Sequence, residues 1–289
     1  MQWEVEGQSV PQSTLFALYC WFIGRLPFNG CTSLNTLVLP DSITKLGYCL
    51  FSGCSGLTEI NYPKNLTTVD YYYYSNDQGP FANSSITKVT VPDGVTNILP
   101  YTFSRCTTLS TIILPDTIET IDECAFNYCT GLKNISIPES CTIIGYNAFS
   151  NCNSLKSVEF SNSLITIGSG AFQSCSSLTN VELPDSIETI GGYAFQNCSG
   201  LSSVVLPSSL TQLNNYTFSG CSSLTNIVLP DSITKLGYCI FSGCTKLSEI
   251  NYPKNLTTVD YYYYSNDQGP FANSSITKVT VPDGVTNIL

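Results

Sequence analysis

A cysteine that returns every 23 residues constrains this chain more than any other feature. Cys106, Cys129, Cys152, Cys175, Cys198, Cys221 and Cys244 keep that step, and Cys31 and Cys54 continue the column upstream. Ser84 and Ser274 fill it in two coils whose spacing a loop disturbs. Self-similarity at a fixed period of about 20–50 residues is the signature of a repeat array, in which one coil cannot bury its own apolar face and stacking does so instead. Each unit runs C-x-x-L-x-x-I-x-L-P-x-x-I-x-x-I-G-x-x-A-F-x-x-C. After Cys175 this reads Leu178, Val181, Leu183, Pro184, Ile187, Ile190, Gly191, Ala194, Phe195 and Cys198. Ser161 replaces the proline once, Cys141 takes an isoleucine position, and Asp122 and Asn214 replace the glycine. The partial motif Ile23, Gly24, Phe28, Cys31 shows the pattern running by residue 23. The domain reading is therefore a non-repeat segment over 1–22, either a cap or an irregular start, followed by one solenoid over 23–289.

The spacing dictates local structure. L-x-x-I-x-L is a short strand whose last two apolar residues lie two apart and so share a face. Proline ends it, since it has no N–H for a ladder. The glycine is expected to permit a positive φ at the second turn. Ala-Phe then sends a ring inward beside the column cysteine. Coils about 4.8 Å apart would pair their strands into a parallel sheet. A larger duplication overlies this: residues 36–99 and 226–289 are nearly identical, and 59–99 matches 249–289 throughout. The second copy reaches Leu289 in mid-coil, so the array is expected to continue, or the chain to be a fragment, with an end prone to self-association.

The pattern F-x-x-C-x-x-L-x-x-I-x-L-P-x-x-I-x-x-I-G, carried here by the run from Phe172 to Gly191, resembles the BspA-type leucine-rich repeats. The resemblance extends over nearly the whole chain. It implies an α/β-type repeat solenoid, a right-handed leucine-rich-repeat array of about ten 23-residue coils with a parallel β-sheet on its concave face. It also implies a surface protein of a bacterium or parasitic protist that adheres to host proteins or cells. The family has no catalytic motif to carry over.

Composition narrows the chemistry. Net charge is −10 and histidine is absent. Phosphate backbones are unsuited partners for a chain with no basic cluster. Ser-His-Asp and Cys-His catalysis and His-bearing zinc sites are excluded. No run of about 20 apolar residues exists to span a membrane. The run from Leu15 to Ile23 is apolar but short, and Glu4 and Glu6 precede it where a signal peptide carries positive charge. No signal peptide or anchor is visible, and no cofactor or metal is expected.

Candidate sites fall in four places. The column cysteines read as buried free thiols, because serine stands in for them and parallel side chains keep their Cβ atoms further apart than a disulfide favours. Second cysteines five residues earlier, in Cys49/Cys54, Cys124/Cys129 and Cys239/Cys244, read either as partly exposed small residues or as oxidised clamps. Two identical loops, with Tyr71, Tyr72, Tyr73 and Tyr74 in one and Tyr261, Tyr262, Tyr263 and Tyr264 in the other, offer stiff amphipathic contact area or fold back as cover. Asp70, Asn76 and Asp77 lack calcium-loop spacing. The exposed strand position two before the proline reads Val38, Asn61, Ile113, Ser136, Glu159, Glu182, Val205, Val228 and Asn251. Glu159 and Glu182 are expected to be close neighbours beside an apolar strip of Val205 and Val228, either a grip for a basic partner or a solvated pair. Seven N-x-S/T sequons occur, at Asn65, Asn83, Asn134, Asn197, Asn215, Asn255 and Asn273, about the number chance provides in so Asn/Ser/Thr-rich a chain.

The leading function is a non-enzymatic binding scaffold whose partner is a host or cell-surface protein. A carbohydrate-binding module using the tyrosine loops is the alternative. A third class is the targeting region of a longer protein whose catalytic domain lies beyond Leu289.

Overall fold

The computed structural model describes residues 4–5, 8–9, 28–71, 78–261 and 269–289. Glu4–Val5 and Gln8–Ser9 pair as a short antiparallel ribbon; the rest of the 1–22 segment lies outside the described residues. From Phe28 onward the chain winds as stacked coils, each held to its neighbours on three sides.

The first side carries strands of two or three residues at the L-x-x-I-x-L position. Asn180–Glu182 pairs in parallel with Ser203–Val205, placing Asn180 opposite Ser203, Val181 opposite Val204 and Glu182 opposite Val205. The step across each pair is one repeat, so equivalent residues become spatial neighbours. The second side carries two-residue strands at the I-x-x-I-G position. Asn97–Ile98, Thr120–Ile121, Ile143–Ile144, Thr166–Ile167 and Thr189–Ile190 form one parallel five-stranded sheet. The third side is built of turns, yet it too is laddered: the Phe126, Phe149 and Phe172 amides donate to the Ala148, Ala171 and Ala194 carbonyls at 2.7, 2.7 and 2.8 Å. Solvent-side hydroxyls add a further tie. Ser202 Oγ donates to the Thr179 carbonyl at 3.0 Å, and Thr225 Oγ1 to the Ser202 carbonyl at 3.2 Å. The abundance of Ser and Thr at these positions thus has a structural cause.

No α-helix occurs among the described residues, so the architecture is a β-solenoid and the α half of the expected class does not form. The reason is local. Between the glycine and the column cysteine two residues take positive φ, Asn147 at 50° and Asn151 at 61° in one coil, Tyr193 at 60° and Asn197 at 58° in another. A right-handed helix cannot run through such positions.

The core follows the expected faces. Leu178, Val181, Leu183, Ile187, Ile190 and Phe195 are all buried. Phenylalanine rings form a continuous stack from Phe28 to Phe271, one per coil, with centroids 5.1 Å apart at Phe126–Phe149 and 6.1 Å at Phe241–Phe271. The column thiols do more than fill space. Cys129, Cys152, Cys175 and Cys198 donate S–H to the Phe103, Phe126, Phe149 and Phe172 carbonyls of the preceding coil at 3.1–3.2 Å. Burial pushes Cys152 and Cys198 up to about 12 and Cys129 and Cys175 well above the usual thiol range, which keeps them protonated donors.

Two expectations need correction. The repeat glycines do not supply positive φ: none of Gly145, Gly168 and Gly191 adopts it. They are needed because a Cβ on Gly168 would lie 2.6 Å from the Gly145 carbonyl carbon, and one on Gly191 would collide with the Ser169 nitrogen. The second cysteines are not partly exposed either. Cys49, Cys124 and Cys239 are buried and occupy the first positive-φ position.

The duplication shows what stacking contributes. Val89, Val91 and Ile98 are buried by the coil that follows them. Their counterparts Val279, Val281 and Ile288, within identical sequence, are exposed.

Candidate functional site

The strand face is positioned by the period-two alternation of L-x-x-I-x-L: Val181 and Leu183 turn inward, so Glu182 between them turns out. Asn61 and Asn251 at this position are absorbed by the fold. The Asn61 amide donates to the Leu39 carbonyl and accepts from its N–H, both at 2.7 Å, and Asn251 clasps Leu229 in the same way at 2.6 and 2.8 Å. Glu159, Glu182, Val205 and Val228 are exposed on four consecutive coils. Glu182 faces Val205 across the ladder, and Val228 directly follows Ile227, the partner of Val204. Val205 and Val228 keep 57% and 64% of their surface in water, an unusual cost for two adjacent aliphatic residues.

Glu159 is in register with Ser136, and the sheet divides between Ser157–Glu159 and Asn180–Glu182. The same break in the ladder recurs between Thr111–Ile113 and Asn134–Ser136 and between Asn226–Ile227 and Glu249–Asn251, so it is not peculiar to this coil, although Phe160-Ser161 replaces the usual Leu-Pro here. The Phe160 ring stands edge-on to Phe172 at 5.7 Å, which is bulkier packing than a leucine would make there. The two carboxylates occupy neighbouring coils without being ladder partners.

Of the tyrosine loops, Tyr71 and Tyr261 are described and exposed, whereas Tyr72, Tyr73, Tyr74, Tyr262, Tyr263 and Tyr264 lie outside the described residues. Tyr71 stacks on Tyr101 with centroids 3.9 Å apart, and the Tyr101 hydroxyl donates to Glu123 at 2.9 Å. Asp70 and Asp260 pair with Lys45 and Lys235 at 3.0 and 2.9 Å, so the loop entrances are held by ion pairs. Among the described residues no three His, Cys, Asp or Glu side chains gather as a metal site, and no helix is long and apolar enough to cross a membrane.

One aromatic group escaped sequence reasoning. On the turn side, Tyr193 and Tyr216 stack at 4.9 Å, and Tyr238 meets Tyr216 edge-on at 5.2 Å. Burial and contact with Cys239 push the Tyr216 phenol up to about 12. The available signal was tyrosine in the column that holds Asn147 and Gly170 elsewhere.

Comparison with known proteins adds the following. The model of the BspA type leucine rich repeat region matches in six copies, over residues 21–79, 77–181 and 165–289. A leucine-rich repeat protein from Bacteroides ovatus is similar in structure, with a TM-score of 0.68 and 30% identity over 87% of this chain and 70% of that one. A leucine-rich repeat protein from Eubacterium ventriosum gives 0.54 and 27% over 83% of this chain and 59% of that one. The pneumococcal vaccine antigen PcpA, at 0.50 and 18% over 88% of this chain and 70% of that one, shares the fold. No curated protein matches the chain. With matched repeats covering residues 21–289 and the column pattern realised as stacked coils, the chain belongs to the BspA-type leucine-rich-repeat family.

Proposed function

We propose that this protein is a non-enzymatic interaction scaffold, displayed at a cell surface, that adheres to a host or cell-surface protein through the strand face at Glu159, Glu182, Val205 and Val228. The observation that carries the reading is the exposed Val205–Val228 pair with Glu182 across the ladder from Val205. Two water-exposed valines on a rigid sheet supply a dry centre of the kind binding energy concentrates in. Glu182 and Glu159 beside them favour a partner with a basic rim, in keeping with a net charge of −10. A laddered solenoid loses little conformational freedom on binding. The cell-surface setting is the one the family resemblance implies.

The test is binding of the intact chain to immobilised extracellular proteins and whole cells, at low and raised salt, beside a Glu159→Lys/Glu182→Lys variant of unchanged circular dichroism. Charge reversal should abolish binding, and the parent's binding should fall with salt. Loss on substituting Tyr71 instead, with a soluble sugar as competitor, would move the function to the tyrosine loops. That second reading is favoured by one feature, the support of exposed Tyr71 by Tyr101 and Glu123.

A further inference from the structure

The turn side has a composition unlike the rest of the molecule. Its four successive segments 145–155, 168–178, 191–201 and 214–224 contain no Asp, Glu, Lys or Arg, and the next, 237–247, has Lys246 alone, although the chain has 21 acidic and 11 basic residues. The aliphatic carbon there is turned inward: Ala148, Ala171, Ala194 and the following leucines are buried. What remains outside is hydroxyl, amide and tyrosine. Gln173 and Gln196 are joined amide to amide, and the stacked Tyr193–Tyr216 pair with Tyr238 forms the aromatic part.

The backbone fixes where these rings stand. Tyr193 and Tyr216 sit at φ 60° and 57°, the conformation that Cys124, Asn147, Gly170 and Cys239 take in the same column, so it belongs to the coil and Asn is the residue that tolerates it best. Both amides are fixed, Tyr193 to the Asn215 carbonyl at 2.9 Å and Tyr216 to the Tyr238 carbonyl at 3.1 Å, so the rings are held in place before any ligand arrives.

We propose that this turn face, centred on Tyr193 and Tyr216, binds a neutral, hydroxyl-rich polysaccharide. Pyranose C–H faces pack on tyrosine rings, and vicinal hydroxyls pair with amides such as Gln173 and Gln196. A nucleic acid would need a cluster of cations, which this face lacks, and a partner held by charge would find no complementary groups on the four uncharged coils. The position of Gln173 and Gln196 is held by Ser150, Ser219 and Ser242 in the flanking coils, so amides and hydroxyls line up at one strand spacing, which suits an extended chain of sugars. The site is separate from the strand face and stands or falls independently of it.

The test is native affinity electrophoresis of the full chain through gels containing dextran, mannan, galactomannan or xyloglucan, with polygalacturonate and heparin as charged controls. At least one neutral polysaccharide should retard the protein equally at low and high salt. Tyr193→Asn/Tyr216→Asn, which suits the positive φ, should keep or raise the melting temperature while weakening retardation at least tenfold. Glu159→Lys/Glu182→Lys should leave retardation unchanged. Should the Asn pair fail to fold, Gln173→Ala/Gln196→Ala reads the same loss. Retardation by none of the neutral polysaccharides, by charged ones only, or surviving the folded variants would overturn the proposal.

Discussion

Ile98 and Ile288 offer an internal control that few proteins provide. They end identical 40-residue contexts, 59–98 and 249–288, yet Ile98 is 0% exposed and Ile288 is 66% exposed. Ile98→Ala removes a fully buried side chain wedged between coils, whose ladder partner is Ile121. Such truncations cost about 2–5 kcal/mol, the transfer of the lost carbons plus the cavity left behind. In a chain ending at Leu289, Ile288→Ala removes atoms mostly in water and should fall within about 0.5 kcal/mol of the parent. The difference between two chemically identical substitutions should thus reach about 2 kcal/mol or more. Repeat arrays can depart from two-state unfolding, so residue-resolved hydrogen exchange is the better assay, with urea unfolding beside it. Ile98→Ala should shorten protection at Asp122 and Thr120, whose amides bond to coil carbonyls at Ile98 and Thr96. Equal destabilisation by both substitutions would refute the argument that neighbouring coils, rather than local sequence, create the burial.

Other outcomes follow from the same packing. Cys175→Ser keeps a small donor facing the Phe149 carbonyl and should cost little, whereas Cys175→Asp buries an unpaired charge and should unfold the adjacent coils, as read by proteolysis. The contribution of the buried thiols to stability should be level below about pH 9 and fall above it: thiols of the unfolded chain lose protons there while Cys152, Cys198 and Cys244, raised to about 12 by burial, hold theirs. Each contributes a slope of up to about 1.4 kcal/mol per pH unit, and Cys→Ser replacements should flatten a melting-temperature profile from pH 8 to 11. Gly168→Ala should cost about 1–3 kcal/mol through overpacking against the Gly145 backbone, measured by urea unfolding; an unchanged midpoint would contradict the close approach.

Much of the fold was legible because periodicity reports directly on which side chains share a face. Leu178, Val181, Leu183, Ile187, Ile190 and Phe195 could be assigned inward from spacing alone. What spacing does not carry is the distance between neighbouring backbones. The glycine at 168 therefore invited a conformational explanation, when the reason is contact with Gly145. Nor does it reveal where along the stack the ladder pairing breaks, or that the Phe160 ring stands edge-on to Phe172. The turn-side tyrosines went unnoticed because Tyr193, Tyr216 and Tyr238 lie 22 or 23 residues apart in two adjoining columns and meet only once coils are stacked.

The claim that function resides on four particular coils is tested most directly by placing one substitution at three equivalent positions. Val38, Val205 and Val228 share the strand position, and Val38 is 78% exposed, so lysine at any of them should leave folding intact. Binding to the immobilised protein or cell that retains the parent chain should fall at least tenfold for Val205→Lys and for Val228→Lys and stay unchanged for Val38→Lys. Equal loss at all three positions, or none at Val205 and Val228, would contradict the account.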